Sequence, residues 1–369
     1  MLWRGFYLSR SSFAGPFICC LYCLSLNYIA NAAIQVSHPS PSVNMKILAV
    51  THELSFSGAP LALLEFARAL TSAGHHVDVI SLSSDAGLGH SFLEAGARLI
   101  TGPVVFDEYD LTIFNSIVTV RHIPRYKTTS KIIAWIHESP YLKDIGWRRD
   151  IDVPAVSYAD AIMFPSASTR QEWSSFIELK NSFHFFSPII IRDGVKSTKT
   201  TDHSPGQAYK ICVIDPREDY RCLERIEGFF KGSAFPLEIH FVGAQRGEVD
   251  VNSSVVSSIY YGRVPPHEAI AILASCDVYV SATCLATQNR GFCEALLLGK
   301  RVYVSSISAH REIGNIVGLE PANYFQPLDE FSIDFTKGLS TQYSGLDFFS
   351  PSIFEKNVAR VLDHCGLKM

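Results

Sequence analysis

The sequence predicts an α/β protein built as two doubly wound domains. Three observations carry this. From Met45 onward, short apolar runs alternate with helical patterns, the arrangement of βαβ units around a parallel sheet. The series occurs twice, on either side of a Ser/Thr/Gly/Pro-rich segment, RDGVKSTKTTDHSPGQA at 192–208. The chain has 369 residues, 47% of them hydrophobic. At roughly 100–200 residues per domain, that is enough for two domains that each bury a core.

In the first half, KILAVT, HVDVIS, ARLIT, DLTIFN, KIIAWI and DAIMFP read as buried strands. LALLEFARALTSAG and SASTRQEWSSF carry helical periodicity between them. In the second half, YKICVID, LEIHFVG, SSIYYG, DVYVSA and RVYVSS are strands, with helices near 217–231, 266–275, 290–299 and 308–316. The expected layout is an extension at 1–44, a first domain at 45–191, a linker at 192–208, a second domain at 209–348 and a final segment at 349–369. That segment contains SIFEKNVARVLDHC, whose helical spacing suits a helix crossing back to the first domain. Two Rossmann-like halves face a cleft, and ligands in open α/β sheets bind at the carboxyl ends of the strands.

A formal charge of −4 argues against nucleic-acid binding, which favours a strongly basic face, and directs attention to small-molecule partners. Three of nine cysteines, Cys19, Cys20 and Cys23, sit in an apolar N-terminal run, and the rest lack paired spacing. No zinc pattern is present, so the body reads as reduced and cytoplasmic. Arg4 and Arg10 precede AGPFICCLYCLSLNYIANAA, which has the length of a signal or anchor with a cleavage-like Ala30-Asn31-Ala32. We read it as an extension ahead of a start at Met45. Neither a G-x-G-x-x-G nor a Walker sequence follows the first strand; Gly87-Leu88-Gly89 reads as a turn and Asp150-Ile151-Asp152 as a solvated loop.

Three loops carry the candidate chemistry. In THELSFSGAP the turn from Ser55 to Gly58 opens a helix, and Ser57 and Gly58 would let backbone amides approach an anion; a plain strand-to-helix turn is the alternative. WIHESP places His137 and Glu138 at the end of a strand. CDVYVSATCLATQNRGFCEALLLGKRVYVSS joins strand, loop, helix and strand, with Glu294 near the helix start, where the dipole favours a carboxylate.

In this order these segments resemble the GT-B glycosyltransferases, specifically retaining family 4, also called glycosyl transferases group 1. The resemblance runs from Met45 to about Gly318 through SFSGAP, WIHE, ADAIMFPSASTRQEW, IRDGVK and, most specifically, EALLLGKRV. It implies transfer of a hexosyl-type sugar from a nucleotide-diphosphate-sugar, with retention, to a glycan or lipid-linked acceptor in polysaccharide biosynthesis. It implies no metal and no cofactor beyond the nucleotide-sugar co-substrate. His137 would orient the transferred sugar and Glu294 would hold the ribose hydroxyls. Ser57, Gly58, Arg217, Arg221, Asn289, Arg290 and Gly291 would complete the donor site.

Two departures stand out. The family typically carries two glutamates separated by seven residues, and counting back from Glu294 this chain has Ala286 at the first; Gln288, Asn289 or Arg290 are the candidates to replace it. Where the family has a basic pair for the diphosphate, this chain reads Pro216, Arg217, Glu218, Asp219, with Arg221 one turn on. Two readings stay open: an active transferase with a shifted donor site, or a catalytically degenerate GT-B scaffold acting as a binding or partner subunit. A two-lobed periplasmic binder is a third class, which has no need for the EALLLGKRV helix. RHIPRYK at 121–127 and YLKDIGWRR at 141–149 mix basic and aromatic residues suited to peripheral contact with anionic lipid.

Overall fold

The computed structural model describes residues 44–84, 87–123, 129–143, 152–191, 195, 207–214, 230, 233, 235–244, 253–325 and 343–369. Arg217, Arg221, the helix expected near 217–231 and nearly all of the 192–208 segment lie outside these residues. So do most of the two basic-aromatic loops and the N-terminal extension.

The first domain alternates β1 (Lys46–Thr51), α1 (Gly58–Ser72), β2 (His76–Ser81), α2 (Gly89–Glu94), β3 (Arg98–Leu99), β4 (Leu111–Asn115), α3 (Ile117–Val120), β5 (Lys131–Trp135), β6 (Ala161–Phe164), α4 (Ala167–Trp173) and β7 (Ser182–His184). Its strands form a parallel sheet in the order β3-β2-β1-β4-β5-β6-β7. Alternation is strict along β1: Ile47 and Ala49 pack into the layer beneath α1, while Leu48 and Val50 pack into the layer with Phe114 and Trp173. Burial on both faces explains why these strands read as continuous apolar runs.

The second domain contains β8 (Tyr209–Ile214), β9 (Leu237–Val242), β10 (Val256–Gly262), α5 (Pro266–Ser275), β11 (Val278–Ser281), α6 (Arg290–Leu297), β12 (Arg301–Ser305), α7 (Ser308–Val317) and β13 (Tyr324–Phe325). These strands form a second parallel sheet, β10-β9-β8-β11-β12-β13. The last helix, α8 (Pro351–His364), buries Phe354, Val358, Val361 and Leu362 in the core of the first domain.

The chain crosses between the cores at two adjacent places. Phe185 packs in the first core and its neighbour Phe186 in the second. On the return, Phe349 belongs to the second core and Phe354 to the first. The Ile189 amide donates to the Phe349 carbonyl at 3.1 Å, joining the two crossings. Phe186 and Phe349 pack beside that bond with ring centroids 5.5 Å apart and planes tilted by 55°. The first crossing therefore begins ahead of the polar 192–208 segment, where paired phenylalanines replace linker-like composition. Among the described residues no helix is long and apolar enough to cross a membrane.

Candidate active site

A cleft of about 480 Å³ opens at the carboxyl ends of both sheets. Its walls are the loops after β1, β5, β10 and β11 with the first turns of α1 and α6. Ser57, Gly58, His137, Asn289, Arg290, Gly291 and Glu294 all line it, as does Ala286. The structure thus brings together every described residue of the expected site.

His137 stands at the end of β5. Asn115, at the end of β4, donates its amide to the Ala59 carbonyl at 3.1 Å, which leaves its oxygen to accept from His137 Nε2 at 2.8 Å. That bond places the proton on Nε2 and leaves Nδ1 as an acceptor. Burial, with a smaller effect from nearby His52, pushes the imidazole pKa down to about 3. The ring is neutral across the physiological range and rests against Trp135, centroid to centroid 4.6 Å.

The adjacent Glu138 serves the backbone. Its carboxylate accepts from the Ile117 amide at 2.9 Å, the His137 amide at 3.1 Å and the Ser116 hydroxyl. Ser116 has φ of 95°, a left-handed conformation costing on the order of 1–3 kcal/mol for a residue with a side chain. Glu138 holds that turn and, through the His137 amide, the loop bearing the imidazole.

The turn before α1 differs from the sequence expectation in its electrostatics. Glu53 accepts from the Ser55 hydroxyl at 2.5 Å and the Ser57 hydroxyl at 3.1 Å, with His52 Nε2 at 3.4 Å. The His52 hydrogen bond, helped by Ser55 and Ser57 and opposed by burial, holds this carboxyl at about 2. An anion from the chain already occupies the Ser57 hydroxyl. What remains for a ligand is the backbone at Gly58, where a Cβ would meet nothing within 4 Å. Glu53 was not singled out in the sequence because THE reads as strand exit; only the two serines following it hint that a carboxylate is held there.

In the second domain, Asn289 caps α6 from a left-handed conformation at φ 47°. Its oxygen accepts from the Phe292 amide at 3.2 Å and the Tyr279 hydroxyl at 3.2 Å, while its nitrogen meets Ser281 Oγ at 3.1 Å and His310 Nε2 at 2.9 Å. Gln288 pairs with both backbone groups of Ser187, at 2.9 Å each. Arg290 Nε donates to Glu294 Oε1 at 2.9 Å, one turn along α6. Burial pushes the Glu294 carboxyl up, and Arg290 counters it. All three side chains considered as replacements at the Ala286 position are therefore engaged within the protein.

Gly291 lets the first turn of α6 approach the sheet: a Cβ there would lie 3.0 Å from the Tyr279 hydroxyl and 3.2 Å from Ile214 Cβ. The rest of EALLLGKRV is structural. Gly299 ends the helix at φ 64°. Lys300 Nζ donates to the Ala274 and Cys276 carbonyls at 2.6 Å each, at the end of α5. A cation sequence reasoning missed is Arg263, exposed at the cleft rim after β10.

Several bonds join the domains around the cleft. Thr287 Oγ1 donates to the His137 carbonyl at 2.6 Å. Glu312 of α7 accepts the Ala167 and Ser168 amides at the start of α4, at 2.9 and 2.7 Å. Glu172 accepts from Ser139 at 2.9 Å and from Ser308 at 2.6 Å.

Comparison with solved structures places this architecture. Anabaena HepE, in a complex with UDP-glucose, aligns over 87% of this chain and 100% of its own, with a TM-score of 0.67 and 14% identity. The fold is GT-B. The lipopolysaccharide outer core galactosyltransferase WaaB shares it, at a TM-score of 0.59 and 13% identity over 86% of this chain and 99% of its own. So does the sucrose-phosphate synthase of Thermosynechococcus elongatus, at 0.57 and 12% over 87% and 90%. The family model described as Glycosyl-transferase family 4 matches residues 44–197, the first domain of this GT-B chain. No curated protein matches the chain by sequence.

Proposed function

We propose that this GT-B protein is a retaining glycosyltransferase that moves a sugar, of the hexosyl type, from a nucleoside-diphosphate-sugar to a glycan or lipid-linked acceptor. The observation that carries the reading is one cleft holding a neutral His137 from the first sheet and Glu294 from the second, at the strand ends where such folds take ligands. HepE, which shares the fold, was solved with UDP-glucose.

A histidine with a pKa near 3 binds a proton too weakly for a general base at neutral pH. This supports an orienting role in which Nδ1 accepts a hydrogen bond from a sugar hydroxyl. Glu294, braced by Arg290, would accept from the ribose hydroxyls. With Glu53 beside the α1 turn, the diphosphate would be met chiefly from the second domain, by the amides opening α6, by Arg263 and by Arg217 and Arg221. Such preorganised donors stabilise charge developing on the leaving phosphates without a metal. Polysaccharide biosynthesis on the cytoplasmic side of a membrane is the setting this substrate class fits.

Calorimetric titration with UDP and GDP, followed by a donor panel read by product mass, tests the proposal. Binding by one nucleotide and transfer from its sugar conjugate are expected. No binding at millimolar nucleotide would sink the enzyme reading. Binding without transfer would favour the degenerate-scaffold alternative.

A further inference from the structure

Away from the cleft, a second cavity of about 320 Å³ lies between α4, the edge strand β7 and the returning helix α8. Its lining is Arg170, Ser182, Phe183, His184, Asn357 and Arg360, with Phe185 at its base. Two guanidiniums and an imidazole are thus gathered around one hollow whose described lining contains no carboxylate.

Neither arginine is paired with an acid among the described residues. Arg170 Nε donates to Ser182 Oγ at 2.8 Å, and Arg360 Nη1 donates to Asn357 Oδ1 at 3.4 Å. These partners are neutral and leave each guanidinium without a direct acidic partner among the described residues. Glu312 is near enough to influence His184, but both its oxygens are taken by the amides opening α4. Burial lowers the His184 pKa, Glu312 opposes that shift, and Arg170 and Arg360 add to it, so the two cations share a field at this imidazole. Unpaired arginines converging on a concave surface are the residue type and geometry for a tetrahedral oxyanion, since each planar fork can donate two parallel hydrogen bonds.

We propose that this pocket is a phosphate site, clamped by Arg170 and Arg360, that takes the phosphoryl group of a soluble phosphorylated metabolite or of a lipid headgroup. It is separate from the nucleotide cleft and does not depend on the activity proposed there. The Asn357 amide is an additional donor, and the Phe183 and Phe185 rings form the apolar side of the cavity.

The test uses the full chain and its Arg360→Gln variant. Arg360 is exposed, so this change leaves the core intact; an Arg170→Gln/Arg360→Gln double variant is the stronger form. Inorganic phosphate is titrated at constant ionic strength against chloride, in the presence of saturating UDP, and followed by the shift in Tm. Phosphate should raise Tm of the parent protein, and R360Q should need at least tenfold more phosphate for the same shift, with the Tm in chloride unchanged. A second arm measures co-sedimentation with vesicles of phosphatidylcholine with and without phosphatidylglycerol. Loss of anionic-vesicle binding in R360Q assigns the headgroup source, and a phosphate effect with unchanged sedimentation assigns a soluble one. Parent and variant behaving alike in both arms overturns the proposal.

Discussion

His137 shows how one side chain's environment selects its chemistry. Bonded through Nε2 to Asn115 and shielded by Trp135, it enters the cleft as an uncharged acceptor. Replacing it in H137Q should lower kcat by about 10²-fold, the scale of a misplaced reactant, while leaving the Kd for UDP unchanged. Its titration also sets a stability profile. Between pH 6.5 and about 3 the unfolded chain binds a proton at this residue that the folded chain refuses. Stability is therefore fully present above 6.5 and falls as the pH drops toward 3. Chemical denaturation between pH 7 and 5, above the carboxylate range, should show a shallower loss for H137Q than for the parent. Glu53 adds a loss of the same sign lower down, from 4.5 toward about 2. At Ala286, a methyl lines the cleft where a carboxylate would accept from a sugar hydroxyl. A286E should raise turnover by roughly 10- to 100-fold, given about 1.5–3 kcal/mol for a hydrogen bond to a charged group; no rise in a donor assay would place the sugar's contacts elsewhere. The site's location was legible in the sequence because SFSG, WIHE and the α6 segment each follow a strand. The direction of its polar side chains was not. Gln288, Asn289 and Arg290 have the composition of a ligand-facing loop, yet Ser187, the α6 amides and Glu294 take them up.

At the scale of elements, α6 is fixed by its beginning. The Asn289 cap, the bare Gly291 and the Arg290–Glu294 pair all lie in the first turns of the helix, so the position of the Glu294 carboxylate is set by how closely the first turn approaches β8 and β11. G291A must displace Tyr279 or the helix itself, at a cost of about 1–3 kcal/mol. A lowered denaturation midpoint and weaker UDP binding should appear together; loss of stability with unchanged nucleotide affinity would show that the helix start does not position Glu294. Long strands and helices were legible because both faces of each sheet are buried. HVDVIS became β2 residue for residue, and the helix expected at 266–275 is α5. Elements too short to carry a period escaped: β7 and β13, of three and two residues, and the four-residue α3. The α3 turn depends on Glu138, a long-range partner that no local window contains.

In the whole molecule the two cores are joined by a pair of crossings pinned by the Ile189–Phe349 bond, with inter-domain contacts from Thr287, Glu172 and Glu312 around the cleft. Phe354 carries the returning helix into the aromatic part of the first core, with ring centroids 6.0 Å from Phe66, 6.3 Å from Trp135 and 5.6 Å from Phe185. F354A should cost about 3–5 kcal/mol and, because Trp135 backs His137, should reduce turnover more than a matched cavity in the second core, such as Ile313→Ala. Equal effects on kcat would detach the helix from the site. The return of α8 also bears on the order in which the molecule is made. A domain translated from the amino terminus ordinarily closes its core before the next one emerges. Here Phe66, Trp135 and Phe185 leave the ribosome without Phe354, which follows only after the second domain has been made. The half that is synthesised first is therefore the half that is finished last.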